Sequence, residues 1–568
     1  MMPPMDCTSC GTRPDRPHTF IAHAPDICPG CATPIEARAV IRAGQAVHLM
    51  RCPQCGPSER IIAADGEAWR AAFIAEGRPE DPSPHRFKTT TSTCPSCLAL
   101  VPADVIVREG RVYFEKSCGA CGPSTALVSE DAAYYVRAYQ YARAGTQPFA
   151  YPVEAKTGCP SDCGLCSDHE QHTCLPIIEV TDHCNLECPV CIVNNQYSTH
   201  MSVDDFRGII DAMVAREGQL ESVALSGGEP TSHPRILDLL DIADRPEIAR
   251  VVLITNGVRL GKDKKFALEL QKRGVYIGLQ MDGFDANTHT LLRGRDLGPE
   301  KEAALAMIRA LDLPTQMIAV IARGVNDHQV GRIIDLFLET DAIISLNFQP
   351  ASYSGFGGGT IKHDPMDRVT IAGVIARAEA QTDGRLVRSD FYPLPCSHPQ
   401  CVSLTYLLKL DDGRCVPFPR FVDFEKHVNL LRSSAVLPSS RDVEESLQDT
   451  MYQIFAHQDE IPDADAILAA LKRTLQAMFP GRALSWKESS RIGERQAKTI
   501  FLHHYMDRHD FDLERLRKCC HHYPQADGRV MPACGFNLFH RGTAKGPDTP
   551  RAAWARGKPH GPTPGTPT

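Results

Sequence analysis

Pro176-Ile-Ile-Glu-Val-Thr-Asp-His-Cys184-Asn-Leu-Glu-Cys188-Pro-Val-Cys191 is the stretch that decides how this chain is read. It opens on a short apolar run of β type, and three cysteines in a C-x3-C-x2-C spacing follow at once. Three thiolates on one short loop can ligate three corners of a cubane iron–sulfur cluster, leaving the fourth iron without a protein ligand. Three ligands alone would equally suit a catalytic zinc, which also keeps a position open. The surroundings have to decide between the two.

Outward from this loop, residues 176–349 alternate apolar β runs with amphipathic helices. Strands are expected at 176–181, 222–225, 250–255, 276–281, 315–321 and 343–348. Between the first two, Ser202 and Asp205 form a capping pattern ahead of Phe206, Ile209, Ile210 and Met213 on one helix face. Six β runs alternating with helices imply a parallel sheet, open or barrel-like. In such sheets ligand groups gather at the carboxyl ends of the strands. Ser226-Gly227-Gly228-Glu229-Pro230, Thr255-Asn256-Gly257, Gln280-Met281-Asp282-Gly283 and Arg323 all stand at such ends.

The chain has 568 residues, too many for one core, so several domains are expected. Its net charge of −8 argues against a nucleic-acid footprint. The opening Met1-Met2-Pro3-Pro4-Met5-Asp6 carries no basic or apolar leader, and no apolar window is long enough to span a bilayer. A cytoplasmic protein is expected. In that compartment 23 cysteines, nearly all grouped, read as metal ligands rather than disulfides.

Upstream lies an internal repeat. An offset of 66 residues carries Cys28, Cys31, Cys52 and Cys55 onto Cys94, Cys97, Cys118 and Cys121, and Gly56-Pro57-Ser58 onto Gly122-Pro123-Ser124. Two C-x2-C knuckles around a strand-like hairpin make a closed four-thiolate site of zinc-ribbon or rubredoxin type. Spacing does not choose between zinc and a single iron. A module so small needs its metal to fold, which favours a structural role. Cys7-x2-Cys10 stands outside the repeat and could pair with Cys28 and Cys31 instead.

A second triple, Cys159-x3-Cys163-x2-Cys166, precedes the first strand, with Cys174 after it. Together they offer four thiolates for a fully ligated auxiliary [4Fe–4S] cluster. His169 and His172 between them read as hydrogen-bonding residues. Farther on, Cys396, Cys401, Cys519 and Cys534 are candidates for one more cluster, with Cys415 and Cys520 read as buried structural thiols. Residues 131–153 read as a helical connector, 441–457 and 463–478 as helices, and the Pro/Gly/Thr-rich stretch from 542 as a disordered tail.

The CX3CX2C loop, followed one βαβ unit later by Gly227-Gly228-Glu229-Pro230, resembles the radical S-adenosylmethionine (SAM) superfamily. That resemblance implies a [4Fe–4S] cluster on Cys184, Cys188 and Cys191, and SAM contacts from Ser226, Gly227, Gly228, Glu229, Pro230, Asn256, Asp282 and Arg323. For Arg323, a surface ion pair is the competing reading. The longer run from Gly158 to Cys191, with Leu279-Gln-Met-Asp-Gly-Phe284, Asn347-Phe-Gln-Pro350, Asp390-Phe-Tyr-Pro393 and Met506-Asp507, is similar to the archaeal tetraether lipid synthases. Members of that group are also described as 7,8-dihydro-6-hydroxymethylpterin methyltransferases. Val190, where an aromatic is usual, and the extra ribbon are departures.

The expected architecture is α/β: a partial (β/α)6 TIM-like barrel behind all-β ribbons, with a mixed α/β cluster-binding extension. Expected boundaries are 1–65 and 66–152 for the ribbons and connector, 153–175 for the auxiliary segment, 176–362 for the core, 363–541 for the extension and 542–568 for the tail. Implied cofactors are SAM, one SAM-binding and one or two auxiliary [4Fe–4S] clusters, and zinc or mononuclear iron in the ribbons. The implied activity is carbon–carbon bond formation at unactivated carbon, foremost the coupling of membrane-lipid chains, with C-methylation of a pterin or similar heterocycle as the alternative and a non-catalytic ribbon module last. Expected partners are a lipid or small-molecule substrate and a ferredoxin or flavodoxin reductant; a lipid substrate would add peripheral membrane contact.

Overall fold

The computed structural model describes residues 13–156, 158–160, 162–193, 198–354, 363–437 and 439–541. The Cys7-x2-Cys10 pair and the tail from 542 lie outside those residues.

Two four-stranded antiparallel meanders come first. The first is β1 (Thr19–Ile27), β2 (Pro34–Arg42), β3 (Gln45–Cys52) and β4 (Gly56–Ala63); the second is β5 (His85–Thr93), β6 (Leu100–Arg108), β7 (Arg111–Cys118) and β8 (Gly122–Ser129). Every strand boundary repeats at the offset read from the cysteines. So do the turns: Ala43 and Gly44 have φ of 50° and 78°, and Glu109 and Gly110 have 52° and 69°. Positive φ at both central residues is the two-residue turn whose twist matches the strands it joins. Asp65 and Asp131 cap the helices that follow each meander, Gly66–Glu76 and Ala132–Arg137. Ile21, Phe87, Val105, Phe114, Tyr135 and Tyr139 form one core shared by the two copies. The connector is shorter than expected, because helical structure stops at Tyr141 and Gly145 and Pro148 follow.

The core sheet is parallel and runs in chain order: β9 (Leu175–Thr181), β10 (Val223–Gly227), β11 (Val251–Thr255), β12 (Tyr276–Gln280), β13 (Thr315–Ile321) and β14 (Ile343–Pro350). All six expected strands are present within a few residues of their expected bounds. Helices including Val203–Glu217, Gly298–Leu311 and Val330–Glu339 bury their apolar stripes on one face. The other face carries Ile177, Ala224, Val252 and Tyr276 against Tyr523, Met531 and Phe536 from the end of the chain.

The extension completes the sheet on both edges. β15 (Tyr392–Pro393), β16 (Val402–Lys409) and β17 (Cys415–Pro417) precede β18 (Ala497–His503), which runs parallel to β14 and antiparallel to β16. On the far edge β19 (His521–Pro524) pairs parallel with β9 and antiparallel with β20 (Val530–Pro532). The two helices expected in the extension form as Arg441–Ala456 and Ala464–Met478.

Charge clamps hold the ribbons to this body. Arg51 grips Asp168 through Nε and Nη2 at 2.7 and 3.0 Å, and Arg38 reaches Glu170 at 2.7 Å. In the second ribbon Lys88 pairs with Glu514, both buried, and Thr90 donates to Asp512 at 2.7 Å. Burial alone would raise the Glu514 carboxyl, but Lys88 pulls it far below the usual range. Removing one partner of a buried pair leaves an uncompensated charge, at a cost of about 3–5 kcal/mol. Lys88→Met is therefore expected to lower unfolding free energy by about that amount in denaturant titration. Lys88→Met/Glu514→Gln should recover most of the loss; an equal loss in both would refute the pair's role.

Candidate metal and cofactor site

The cysteine loop starts where β9 ends and is wrapped by the turn that ends β10. Gly228 N–H donates to Thr181 O and Glu229 N–H to His183 O, both at 2.8 Å. A Cβ on Gly227 would lie 2.1 Å from Thr181 O, and one on Gly228 2.2 Å from His183 O. Only glycine admits this approach. Glu229 does not project freely from its turn. Its carboxylate accepts from Thr231 N–H (3.1 Å), Thr231 Oγ1 (2.6 Å), Thr255 Oγ1 (2.7 Å) and Asn256 N–H (2.8 Å), locking the ends of β10 and β11 together. Asn256 Nδ2 then donates to Asn185 Oδ1 at 2.7 Å, between Cys184 and Cys188. Ser226 pairs with Glu179 on β9, and Pro230 opens a short 3-10 turn.

Burial pushes the Cys184 thiol up to about 12 and Cys191 to about 11. Thiolate ligation there needs positive charge, from the metal itself and from nearby cations. The chain supplies three that the motifs did not reveal. Arg293 forks onto Asp282 at 2.6 and 2.8 Å and also reaches the Cys188 side chain. Lys301, fully buried, donates to Asn256 O at 2.8 Å and to Gln280 O; burial draws it down to about 8. Arg541 pairs with Glu179 at 2.5 Å and lies within electrostatic reach of Cys191.

Two expected SAM contacts have other partners. Asp282 is wholly buried: besides Arg293 it accepts from Val320 N–H at 2.9 Å and Gln280 Nε2 at 2.8 Å. It positions a cation instead of facing a ligand. Arg323 sits among Asp367 (3.0 Å), Glu130 of the second ribbon (3.7 Å) and Asp327 (3.9 Å), so the ion-pair reading describes it.

The remaining cysteines sort into sets. Cys28, Cys31, Cys52 and Cys55 converge, as do Cys94, Cys97, Cys118 and Cys121. Their Cys31–Cys52 and Cys97–Cys118 sulfur separations are 3.6 and 3.8 Å. Tetrahedral thiolates about 2.3 Å from one ion lie about 3.8 Å apart, so both sets fit a single metal. The grouping of Cys174 with Cys159, Cys163 and Cys166 needs correction. Its sulfur lies 3.1 Å from that of Cys396, which is 3.6 Å from that of Cys520. Cys396 is thereby removed from the expected Cys396/Cys401/Cys519/Cys534 set, and Cys520 is no isolated structural thiol. Cys401, Cys519 and Cys534 line a small cavity with Arg515, whose Nε donates to Cys401 Sγ at 3.3 Å, and Cys520 lines it too. Cys159, Cys163 and Cys166 lie on the loop before β9; Cys163 comes near Cys519 and Gly535. Cys415 pairs with Lys409 on the outer hairpin, away from all of these.

A cavity of about 290 Å³ runs along the inner face of the sheet, from Ile254 on β11 to the Cys174/Cys396/Cys520 set. Its walls are mostly apolar, and the helix Trp486–Gln496 helps close its amino end. Glu221 lines it, and burial pushes that carboxyl up to about 7.

Residues 178–337 match the radical SAM superfamily, and residues 86–130 match the HMPTM N-terminal zinc ribbon domain. The chain therefore carries a radical SAM domain behind a zinc ribbon, and it is a radical SAM enzyme whose cofactors are a [4Fe–4S] cluster and SAM. It is 29% identical over 488 residues to the 7,8-dihydro-6-hydroxymethylpterin dimethyltransferase of Methanocaldococcus jannaschii, covering 80% of this chain and 94% of that protein. It is 26% identical to the GTP 3',8-cyclase of Petrotoga mobilis over 29% of this chain and 52% of that one. Streptococcus suis SuiB bound to SAM is a solved structure with a TM-score of 0.32 and 19% identity, over 37% of this chain and 47% of that one. No helix among the described residues is long and apolar enough to cross a membrane.

Two predictions follow from these charges. Arg293→Met removes the cation beside Cys188 and should cut 5′-deoxyadenosine formation by about 10–100-fold. It should also shift the electron-paramagnetic-resonance signal of the reduced SAM cluster; an unchanged signal would contradict the assignment. Glu221 binds its proton more tightly folded than unfolded, so its contribution to stability is complete below the unfolded pKa and fades as pH rises through about 7. Glu221→Gln should match the wild type at pH about 4.5 and exceed it by an amount on the order of 3 kcal/mol at pH about 8. Parallel stability curves for the two proteins would count against a buried, proton-holding Glu221.

Proposed function

We propose that the enzyme makes carbon–carbon bonds at unactivated carbon, and that it C-methylates a small heterocycle of pterin type. The observation that carries this reading is the match to a pterin dimethyltransferase over 94% of that protein's length. We read β9–β14 as a partial (β/α)6 barrel, with ribbon, auxiliary, core and extension segments divided near residues 65, 152, 175 and 362. Cys184, Cys188 and Cys191 are the proposed ligands of the SAM-binding cluster. Cys159, Cys163 and Cys166, with thiols from Cys401, Cys519 and Cys534, are the proposed auxiliary ligands. The donor chemistry fits, since each set is thiolate-only and arises on loops at the sheet's edges.

When bound, the cluster and SAM supply a 5′-deoxyadenosyl radical, which takes hydrogen from carbon that no side-chain base can deprotonate. The chain's own residues hold and shield that chemistry. Gly227 and Gly228 let the β10 turn close on the cysteine loop. Glu229 and Asn256 fix the loop's orientation, and Arg293, Lys301 and Arg541 offset its negative charge. Both ribbons are read as structural metal sites, and the reductant as a ferredoxin or flavodoxin.

One observation favours a second reading. The inner cavity is mostly apolar, which suits a substrate with apolar chains. The two readings give different products. With dithionite, 6-hydroxymethyl-7,8-dihydropterin and SAM as both radical source and methyl donor, the anaerobic enzyme is expected to release 5′-deoxyadenosine, methionine, S-adenosylhomocysteine and a pterin carrying an added methyl group. Cys184→Ala should lower the 5′-deoxyadenosine yield by at least about 100-fold. An unmethylated pterin beside coupled alkyl chains in lipid mass spectra would overturn the heterocycle reading.

A further inference from the structure

We infer that Cys174, Cys396 and Cys520 form a mononuclear metal site with three thiolate ligands, whose fourth position faces the inner cavity and takes a ligand with one nitrogen, oxygen or sulfur donor on an otherwise apolar body. Three loops build it. Cys174 precedes β9, Cys520 precedes β19, and Cys396 follows β15. The N–H groups of Cys174 and Leu175 both donate to Cys520 O, at 3.0 and 3.1 Å, which fixes two of the three residues against one another. Gln171 Nε2 donates to Cys396 O at 2.7 Å and ties in the third.

The sulfur spacing argues for one ion. All three sulfurs fall within 4.8 Å of one another, with separations of 3.1 Å between Cys174 and Cys396 and 3.6 Å between Cys396 and Cys520. Thiolates on a single ion at about 2.3 Å sit about 3.8 Å apart. Thiolates on separate irons of a cubane are held farther apart, because an iron–iron edge lies between them. The two ribbon sites, which are single-ion sets, show the same close spacing. The SAM loop does not: among the described residues the sets that close to within 4.8 Å are the two ribbons and this trio.

No fourth protein ligand joins the trio among the described residues. His172 Nε2 comes within 3.4 Å of Cys174 Sγ, but its ring nitrogens engage Glu217 (3.3 Å) and Ser433 O (3.0 Å). Cys401 is held by Arg515, and Cys519 Sγ lies 3.1 Å from His521 O. A three-ligand site with an open position is the arrangement of catalytic rather than structural zinc. All three cysteines line the cavity of about 290 Å³, whose walls also present Asn347 Oδ1 and His521 Nδ1 without hydrogen-bond partners. A ligand donor can reach the metal there while apolar walls bury its body. Zinc and ferrous iron both suit three thiolates.

The site is independent of the substrate assigned to the SAM centre, and its test needs no turnover. Full-length protein is reconstituted anaerobically, and zinc, iron and acid-labile sulfide are counted per chain. Cys520→Ala should lose one metal ion with sulfide unchanged. A loss of four irons with four sulfides would make the trio a cubane and overturn the inference, as would no loss at all. Cys396→Ser carries the same comparison if Cys520→Ala fails to fold. Cobalt substitution then reads the open position. Imidazole should shift the visible d–d bands of the cobalt protein, and the shift should vanish in the variant; bands indifferent to imidazole in the wild type would show a closed site.

Discussion

Strand β9 carries the constraint on which the metal chemistry depends. Its carboxyl end runs directly into Cys184, and its amino end starts directly after Cys174. On one edge β10 pairs with it and brings the glycine turn onto the cysteine loop. On the other edge β19 pairs with it and brings Cys520 onto Cys174. Seven residues of strand separate the two ends by roughly 20 Å. One short strand therefore sets the distance between the CX3CX2C loop and a second set of thiols. The cavity runs along the inner face from the Cys174 end of the sheet to Ile254 on β11.

A second constraint is electrostatic. Thiolates are gathered on buried loops where burial raises their pKa, as at Cys184, Cys163 and Cys534. Metal is the main counter-charge, but buried cations stand beside the sulfurs as well: Arg293 at Cys188, Arg541 near Cys191 and Arg515 at Cys401. Each is pinned by an acceptor or a carboxylate of its own. Arg293 has Asp282, Arg541 has Glu179, and Arg515 donates to His504 O. Such outer partners fix the geometry of ligands as much as the ligands themselves do.

The parts legible in the sequence were those set locally. Strand periodicity located all six core strands, and the cysteine offset located both ribbons down to their turn residues. The cysteine loop and the glycine turn were legible because each is a contiguous string. What escaped was set by pairing across long separations. Cys520 looked like a spare thiol beside Cys519, because only the β9–β19 pairing brings it to Cys174. Asp282 looked like a ligand group because it ends a strand, yet Arg293, a helix later, takes its carboxylate. Arg323 stood at an equally suggestive strand end and is drawn to Glu130 by the docking of the second ribbon, a contact no local pattern records.

The duplicated ribbons show how the same fold can be put to different contacts. Their strands, turns and metal sets superpose at one offset, so the two copies face the same folding problem: a small sheet that needs a metal ion. Their outward charges differ. The first ribbon presents Arg38 and Arg51 to Asp168 and Glu170, residues that lie between Cys166 and Cys174. The second presents Lys88 and Thr90 to Glu514 and Asp512, a few residues before Cys519. The first copy braces the loop leading into β9 and adds a contact from His23 N–H to Glu514 Oε1 at 2.6 Å, while the second braces the loop leading into β19. Those are the two loops that meet at Cys174 and Cys520. A ribbon that unfolded for want of a metal would release the clamp on the loop it holds.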